Sequence, residues 1–364
     1  MTPGVGAGDT APIEVRLEEA DPGEATADRA APRIVALGGG HGLYATLTAM
    51  RYLSPHVTAV VTVADDGGSS GRLRAELGVI PPGDLRMAMS ALMSAPAARD
   101  AAGASTGLDE EPVADRRELW AQMLQHRFGG RGALAGHPVG NLVLAGLTEV
   151  LEDPVLALDE LVALFGVDGR VLPMSTVPLE IEADVSGLES DPRISRCIRG
   201  QVAVATTPGK VRRVRLLPND PPACDDAIAA IGAADLVVLG PGSWFSSVIP
   251  HVLVPEQLRA LRETSARKML FVNLAPEPGE TTGFSVERHL HVLHAHADSF
   301  RIDDIVVDAA SVPAGREREH LVRAAELFGA RLHVGDLARP GKPVHDPAKV
   351  AILVNELCEG ELSR

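Results

Sequence analysis

Cysteine is scarce in this chain of 364 residues: Cys197, Cys224 and Cys358 stand far apart and form no CxxC pair. That spacing offers neither a thiolate zinc site nor a disulfide framework, so a reducing, cytoplasmic setting is expected. Aromatic residues make up 3% of the sequence, too few for the stacking platforms that hold single-stranded nucleic acid. Basic residues are also short, 34 Lys and Arg against 49 Asp and Glu, for a net charge of −15. No nucleic-acid partner is expected, because neutralising phosphates needs a basic surface. A local basic pocket for a small phosphorylated ligand stays open. No apolar run reaches the roughly 18 residues of a membrane span. The opening MTPGVGAGDTAPIEVRLEEA lacks the basic and apolar regions of a secretory signal.

What is present is globular. Hydrophobic residues are 45% and charged residues 23%, and a chain of this length buries a sizeable core without staples. Residues 1–31 are rich in Gly, Ala, Pro and Glu and read as a disordered acidic tail. Residues 32–355 read as one α/β domain, with 356–364 as a C-terminal end. Arg33–Leu37 is a short buried-strand pattern, a helix is expected from Leu43 to about Leu53, and Val57–Ala64 is a β-branched strand. Together they make a βαβ unit with a right-handed crossover. Residues 95–116 read as a mobile loop, followed by helices over about 117–128 and 140–151. Pro- and Gly-broken short strands over about 167–218 suggest a β-rich insertion. The α/β rhythm then returns, with strands expected at Leu236–Leu239, Met269–Leu274, Asp304–Asp308 and Arg331–Val334.

Four polar turns follow the expected parallel strands, and in such sheets these turns share the ligand-binding edge. Gly38-Gly39-Gly40-His41-Gly42-Leu43 lets backbone N–H groups approach a diphosphate, with a helix N-terminus behind them. It is not a full GxGxxG, since Leu43 holds the third glycine position; a tight strand-to-helix turn is the bland alternative. Asp65-Asp66, 27 residues after Gly38, ends the second strand. A carboxylate there can accept from a ribose, hold Mg²⁺ or act as a base. Gly67, Gly68, Ser69, Ser70 and Gly71 can form an anion nest behind it. Gly240-Pro241-Gly242-Ser243 and the stretch from Asn273 to Glu280 complete the set.

Further candidates open helices. Asp84, in Pro81-Pro82-Gly83-Asp84-Leu85-Arg86, fits a helix N-cap. Arg86 either reaches a phosphate or is an exposed arginine. Asn141, in Gly136-His137-Pro138-Val139-Gly140-Asn141-Leu142, either reads a base or sugar edge or caps its helix. His289, His291, His294 and His296 lie on one expected helix without HExxH, so a solvated face is expected rather than a metal site. Ser243 lacks the GxSxG order of a nucleophile elbow. Lys210, Arg212, Arg213 and Arg215 read as a solvated basic strand or the wall of an anionic pocket.

Taken in order, ALGGGHGL, TAVVTVADDGGSSGRLR, PPGDLR, GHPVGNL and VVLGPGSWFSSVIP resemble the YvcK-type gluconeogenesis factor family of the CofD-like superfamily, over residues 33 to about 355. His41-Gly42-Leu43-Tyr44 and the acidic tail look actinobacterial, and Val344-His345-Asp346-Pro347 also resembles the YvcK branch. The resemblance implies a modified Rossmann-like α/β fold, a mostly parallel sheet with helices on both faces and an inserted small β-rich and helical subdomain. It implies a UDP-sugar ligand, notably UDP-N-acetylglucosamine, and a role in cell shape and peptidoglycan synthesis during gluconeogenic growth. It also implies regulatory phosphorylation by a Ser/Thr kinase, and self-association into a homo-oligomer is a further expectation.

On this reading Gly38–Leu43 and Gly240–Ser243 hold the diphosphate. Asp65, Asp66 and Asn141 contact ribose, sugar or Mg²⁺, and Asn273 lines the same cleft. The alternatives are a 2-phospholactate transferase, with Asp65 or Asp66 on Mg²⁺ or accepting a proton, and, last, an NAD(P)-dependent oxidoreductase.

Overall fold

The computed structural model describes residues 31–94, 111–191, 193–277, 279–312 and 315–362. The expected tail and most of the expected 95–116 loop lie outside them. From Pro32 onward the chain forms one unit.

Its frame is a seven-stranded parallel sheet. In chain order the strands are β1 (Ile34–Gly38), β2 (Val57–Val61), β3 (Arg170–Pro173), β7 (Leu236–Leu239), β8 (Arg267–Phe271), β9 (Asp304–Asp308) and β10 (Arg331–Gly335). They lie side by side as β10-β9-β8-β7-β1-β2-β3. β1, β7 and β9 are buried along their whole length, which is why β1 and β7 read as unbroken apolar runs rather than as alternating ones and β9 as Ile-Val-Val between two acids. Between β1 and β2 lies α1 (Gly40–Met50), which packs on α3 (Pro82–Ser94) and on the helix Pro347–Leu362. α2 (Gly68–Leu77) follows β2.

Strand order decides where a ligand can enter. From β1 the chain moves to β2 and β3 on one side, then returns to β7 beside β1 and continues to β8, β9 and β10 on the other. The loops after β1 and β7 therefore leave neighbouring strands toward opposite halves of the sheet, which opens a crevice at their carboxyl ends.

Several sequence expectations shift. α1 begins at Gly40, three residues before Leu43, because Gly40 takes φ +56° and lets the helix start inside the glycine run. Residues 111–116, expected in the loop, have helical backbone as part of Glu111–Gln125. The expected insertion narrows. β3 joins the main sheet beside β2, and only β4 (Glu180–Ser186), β5 (Ser195–Arg199) and β6 (Lys210–Leu217) form a separate antiparallel sheet, ordered β5-β4-β6. β8 ends at Phe271, so Asn273 lies beyond the strand. Residue 355 falls within the helix Pro347–Leu362, which continues across the expected boundary.

Two charge expectations also change. Arg215 on β6 is paired with Asp184 and Glu182 on β4 at 2.6 and 2.8 Å, not simply solvated. The four histidines do not share one face. His289 is buried, with Nδ1 against the Ser285 carbonyl, and His296 Nε2 accepts from Val214 N–H. His291 faces Glu287.

At the opposite edge, Asp304 opens β9 fully buried. Arg267 Nε lies 2.5 Å away, His333 Nε2 2.7 Å and Arg331 Nε 3.4 Å. One carboxylate thus joins the starts of β8, β9 and β10. Burial pushes its pKa up, but the Arg267 and His333 hydrogen bonds outweigh this and hold it below the ordinary value. Removing one partner of a buried pair strands the other charge. Asp304→Ala is expected to lose about 3–5 kcal/mol in urea denaturation. Because the folded-state pKa is depressed, the wild-type contribution is complete above the unfolded carboxylate pKa of about 3.9 and is lost as pH falls through the folded value.

Candidate functional site

The loops after β1 and β7 meet backbone to backbone. A β-carbon on Gly42 would lie 2.2 Å from the Pro241 carbonyl oxygen, so only glycine permits this approach. Thr46 Oγ1 donates to the Gly240 carbonyl at 3.0 Å and ties α1 to the second loop. Asn273 completes the seam: its Oδ1 accepts from Gly242 N–H at 2.9 Å, and its Nδ2 donates to the Gly242 carbonyl at 2.8 Å. The Asn273 amide thus holds the loop. Leu43 is buried under the turn, whereas His41 is exposed.

Ser243 turns inward. Its hydroxyl donates to Glu280 and meets Ser246 Oγ, and Glu280 Oε1 accepts from Phe245 N–H at 2.8 Å. Burial, with Glu280 beside it, raises the Glu277 carboxyl to about 8. The loop after β8 is thereby fastened to the loop after β7.

Asp84 lies inside α3 rather than capping it. Its carboxylate accepts from the Gly40 N–H, and a β-carbon on Gly39 would lie 2.6 Å from Asp84 Oδ2 and 2.4 Å from Thr62 Cγ2. A carboxylate therefore occupies the mouth of the glycine turn. Burial, then repulsion from Asp65, raises Asp84 to about 7. Asp65 approaches from the other side: Oδ1 accepts from Gly67 N–H at 2.9 Å, and Oδ2 lies 3.0 Å from where a β-carbon on Gly83 would be.

Asp66 diverges from Asp65. It accepts from Val202 N–H at 3.0 Å, at the start of the helix Gln201–Ala205, and so fastens the inserted sheet to the turn after β2. The close carboxylate partner of Asp65 is Asp84, distant in sequence, rather than the adjacent Asp66.

Arg86 is buried, against the exposed alternative. Burial lowers its pKa to about 10, which leaves it charged near neutrality. Its Nε donates to Asn141 Oδ1 at 2.8 Å, and Nη1 meets Gln125. Asn141 Nδ2 donates to Ser69 Oγ at 3.0 Å, and Ser69 Oγ lies 2.7 Å from His137 Nδ1. Asn141 thus neither caps a helix nor stands free. Ser70 Oγ accepts from Gly83 N–H at 3.1 Å and joins the first turns of α2 and α3.

Thr62, Ser246, Ser247 and His251 also build this edge, and the sequence reading missed them; Glu280 closes the fourth polar turn that it singled out. Ser247 Oγ lies 3.0 Å from the Gly39 β-carbon position, and Thr62 Oγ1 reaches the Ser246 carbonyl. The available signal was a few hydroxyls inside apolar runs, Thr62 among valines and Ser246-Ser247 after Trp244-Phe245.

Asp65 and Asp84 supply the oxygen donors that a hard divalent cation prefers, and a cation between them would relieve the repulsion that raises Asp84. Without one, the carboxylate takes up a proton near neutrality. A folded pKa raised from about 3.9 to about 7 makes wild-type stability fall as pH rises across that window. Asp84→Asn is expected to remove the fall and to be more stable at pH 8 by on the order of 1–3 kcal/mol, with the two converging near pH 4 in thermal melts. Gly42→Ala forces the loops apart and is expected to cost about 1–3 kcal/mol in the same melts.

The chain matches the family described as 2-phospho-L-lactate transferase CofD over residues 34–329. It is 66% identical over 325 residues to a Mycobacterium tuberculosis protein described as "Putative gluconeogenesis factor", spanning 89% of this chain and 90% of that one. The "Gluconeogenesis factor" of Bacillus subtilis is 32% identical over 294 residues, 81% of this chain and 84% of that protein. A crystal structure of a UPF0052 family protein from Bacillus halodurans superposes with a TM-score of 0.73 at 31% identity, covering 89% of this chain and 98% of that one. With the glycine turns and the parallel sheet in place, these matches make the chain a member of the CofD family, of the YvcK-type gluconeogenesis factors in their actinobacterial form.

Proposed function

We propose that this protein is a cytoplasmic nucleotide-sugar-binding regulator. It takes UDP-N-acetylglucosamine or a related UDP-sugar at the β1–β7 crevice and supports cell shape and peptidoglycan synthesis during gluconeogenic growth. The observation that carries the reading is the Gly42–Pro241 backbone contact at the switch point, a setting in which turn N–H groups can meet a diphosphate. Homo-oligomerisation and control by a Ser/Thr kinase belong to the same proposal. Among the described residues no helix is long and apolar enough to cross a membrane.

The seated Asp84 carboxylate shapes the ligand. A bare diphosphate at the glycine turn meets negative charge from Asp84 and Asp65, whereas a Mg²⁺-complexed diphosphate brings its own compensation. Asp65 and Asp84 would hold the ion, and the ion would supply charge neutralisation.

The second reading is a transferase of the 2-phospholactate type. The family match over residues 34–329 and the Asp65–Asp84 pair favour it. Here the same carboxylates would position Mg²⁺ and a nucleotide-linked donor.

Isothermal titration with UDP-N-acetylglucosamine, with and without Mg²⁺, separates the readings. The regulator reading expects saturable binding that strengthens with Mg²⁺ and yields no product. It also expects thermal stabilisation of about 2.7 kcal/mol at 100 times Kd. Mg²⁺-dependent release of a nucleoside monophosphate from a nucleotide-linked phospholactate, with a deazaflavin acceptor present, would establish the transferase instead.

A further inference from the structure

Beneath the glycine turn lies a buried pair that no reading so far uses. His251, in the short helical turn Ile249–Val252, and Gln257, in the helix Pro255–Glu263, are both completely buried. His251 Nε2 lies 3.2 Å from the carbonyl oxygen of Gly38, the last residue of β1. Gln257 Nε2 lies 2.9 Å from His251 Nδ1 and 2.9 Å from the His251 carbonyl oxygen.

These contacts fix the protons. The His251 carbonyl can only accept, so the Gln257 group facing it must be the NH₂ end. That NH₂ then donates to Nδ1 as well, so Nδ1 carries a lone pair. The neutral ring carries its proton on Nε2, and Nε2–H donates to the Gly38 carbonyl. The ring stays neutral, since burial lowers its pKa to about 4. The arrangement has a cost: Gln257 Oε1 is buried without a partner, a penalty of about 1–3 kcal/mol that an apolar residue would avoid.

The Gly38 carbonyl also accepts from Thr62 N–H at 3.0 Å. In a trans peptide the C=O and the following N–H point in opposite directions. Two donors on the Gly38 oxygen therefore set the direction of the Gly39 N–H, the first N–H of the glycine turn.

We infer that His251, held in one tautomer by Gln257, is a positioning residue that fixes the Gly38–Gly39 peptide and so presents the Gly39 N–H to an anionic ligand. The ligand part of this inference rests on the diphosphate reading above; the orientation of the peptide does not.

The test compares His251→Leu, His251→Gln and Gln257→Leu with wild type. It uses titration with UDP-N-acetylglucosamine and with inorganic pyrophosphate, each with Mg²⁺, alongside the Gly39 amide resonance and thermal melts. His251→Leu is expected to weaken binding about tenfold, the loss of one hydrogen bond's worth of alignment. His251→Gln, which keeps a donor, is expected to restore most of the affinity. Gln257→Leu is expected to release the tautomer and shift the Gly39 amide even if the His251 variants fold poorly. Lowered melting temperatures with unchanged affinity and an unmoved Gly39 amide would overturn the inference and leave a purely structural pair. If wild type binds neither probe, the diphosphate reading fails. The Gly39 amide then decides the positioning role alone: a shift in the Leu variants that His251→Gln reverses supports it, and no shift refutes it.

Discussion

The approach of two peptide backbones at the centre of the sheet governs the rest of the site. Gly42 sits so close to the Pro241 carbonyl that no side chain fits between them. β1 lies inside the sheet, beside the middle strand β7, with Ile34 paired to Val57 of β2 on one side and to Leu236 of β7 on the other. A strand so placed has its carboxyl end at the point where the chain changes direction across the sheet. Side chains then tie the neighbouring segments to the loop after β7: Thr46 from α1, and Asn273 and Glu280 from the loop after β8.

Electrostatics then sets what the crevice can accept. The chain carries a net charge of −15, and the glycine turn is faced by Asp84, with Asp65 close by. Arg86 is the cation coupled to both acids, but its guanidinium is engaged by Asn141 and Gln125. The positive potential at the helix start and the negative potential of the two acids therefore oppose one another within a few ångströms. Protonation of Asp84, or a cation between the two carboxylates, would relieve the repulsion that a free anion meets there.

The fold was largely legible because its signals are local. An unbroken apolar run marks Leu236–Leu239 and an Ile-Val-Val core marks Asp304–Asp308, and the structure places both strands at those residues. Helix starts were less legible: Gly40 begins α1 through a left-handed φ that composition does not announce. β3 was read as part of the insertion because Pro173 and the following Pro178 look like loop residues, whereas pairing with β2 recruits it into the sheet. The site was legible in residue type but not in connectivity. Asp65 and Asp66 look like a pair at a strand end because they are adjacent, yet β2 stops at Val61, short of the expected Ala64, and the turn beyond it sends the two side chains to different partners. Asp66 goes to Val202 and Asp65 turns toward Asp84. His251 left no sequence signal at all, because a lone histidine in an apolar stretch is read as core. Its role depends on a carbonyl 213 residues away.

The chain of contacts through Ser69 has a fixed polarity from Arg86 as far as the serine oxygen. Arg86 can only donate, so Asn141 Oδ1 accepts from it and Nδ2 donates to Ser69 Oγ. Ser69 Oγ also lies 2.7 Å from His137 Nδ1, whose pKa is lowered by burial and by Arg72. The path clamps the first turn of α2 against the helix Val139–Leu151. Ser70 does the same between α2 and α3. The serines of the Gly67–Gly71 turn therefore act as struts, and the chemistry they support is that of the backbone they hold in place. The crevice thus sets turn N–H groups beside the Asp65 and Asp84 carboxylates, and of these two Asp84, pushed up to about 7 by burial and by Asp65, is the one that exchanges a proton near neutrality.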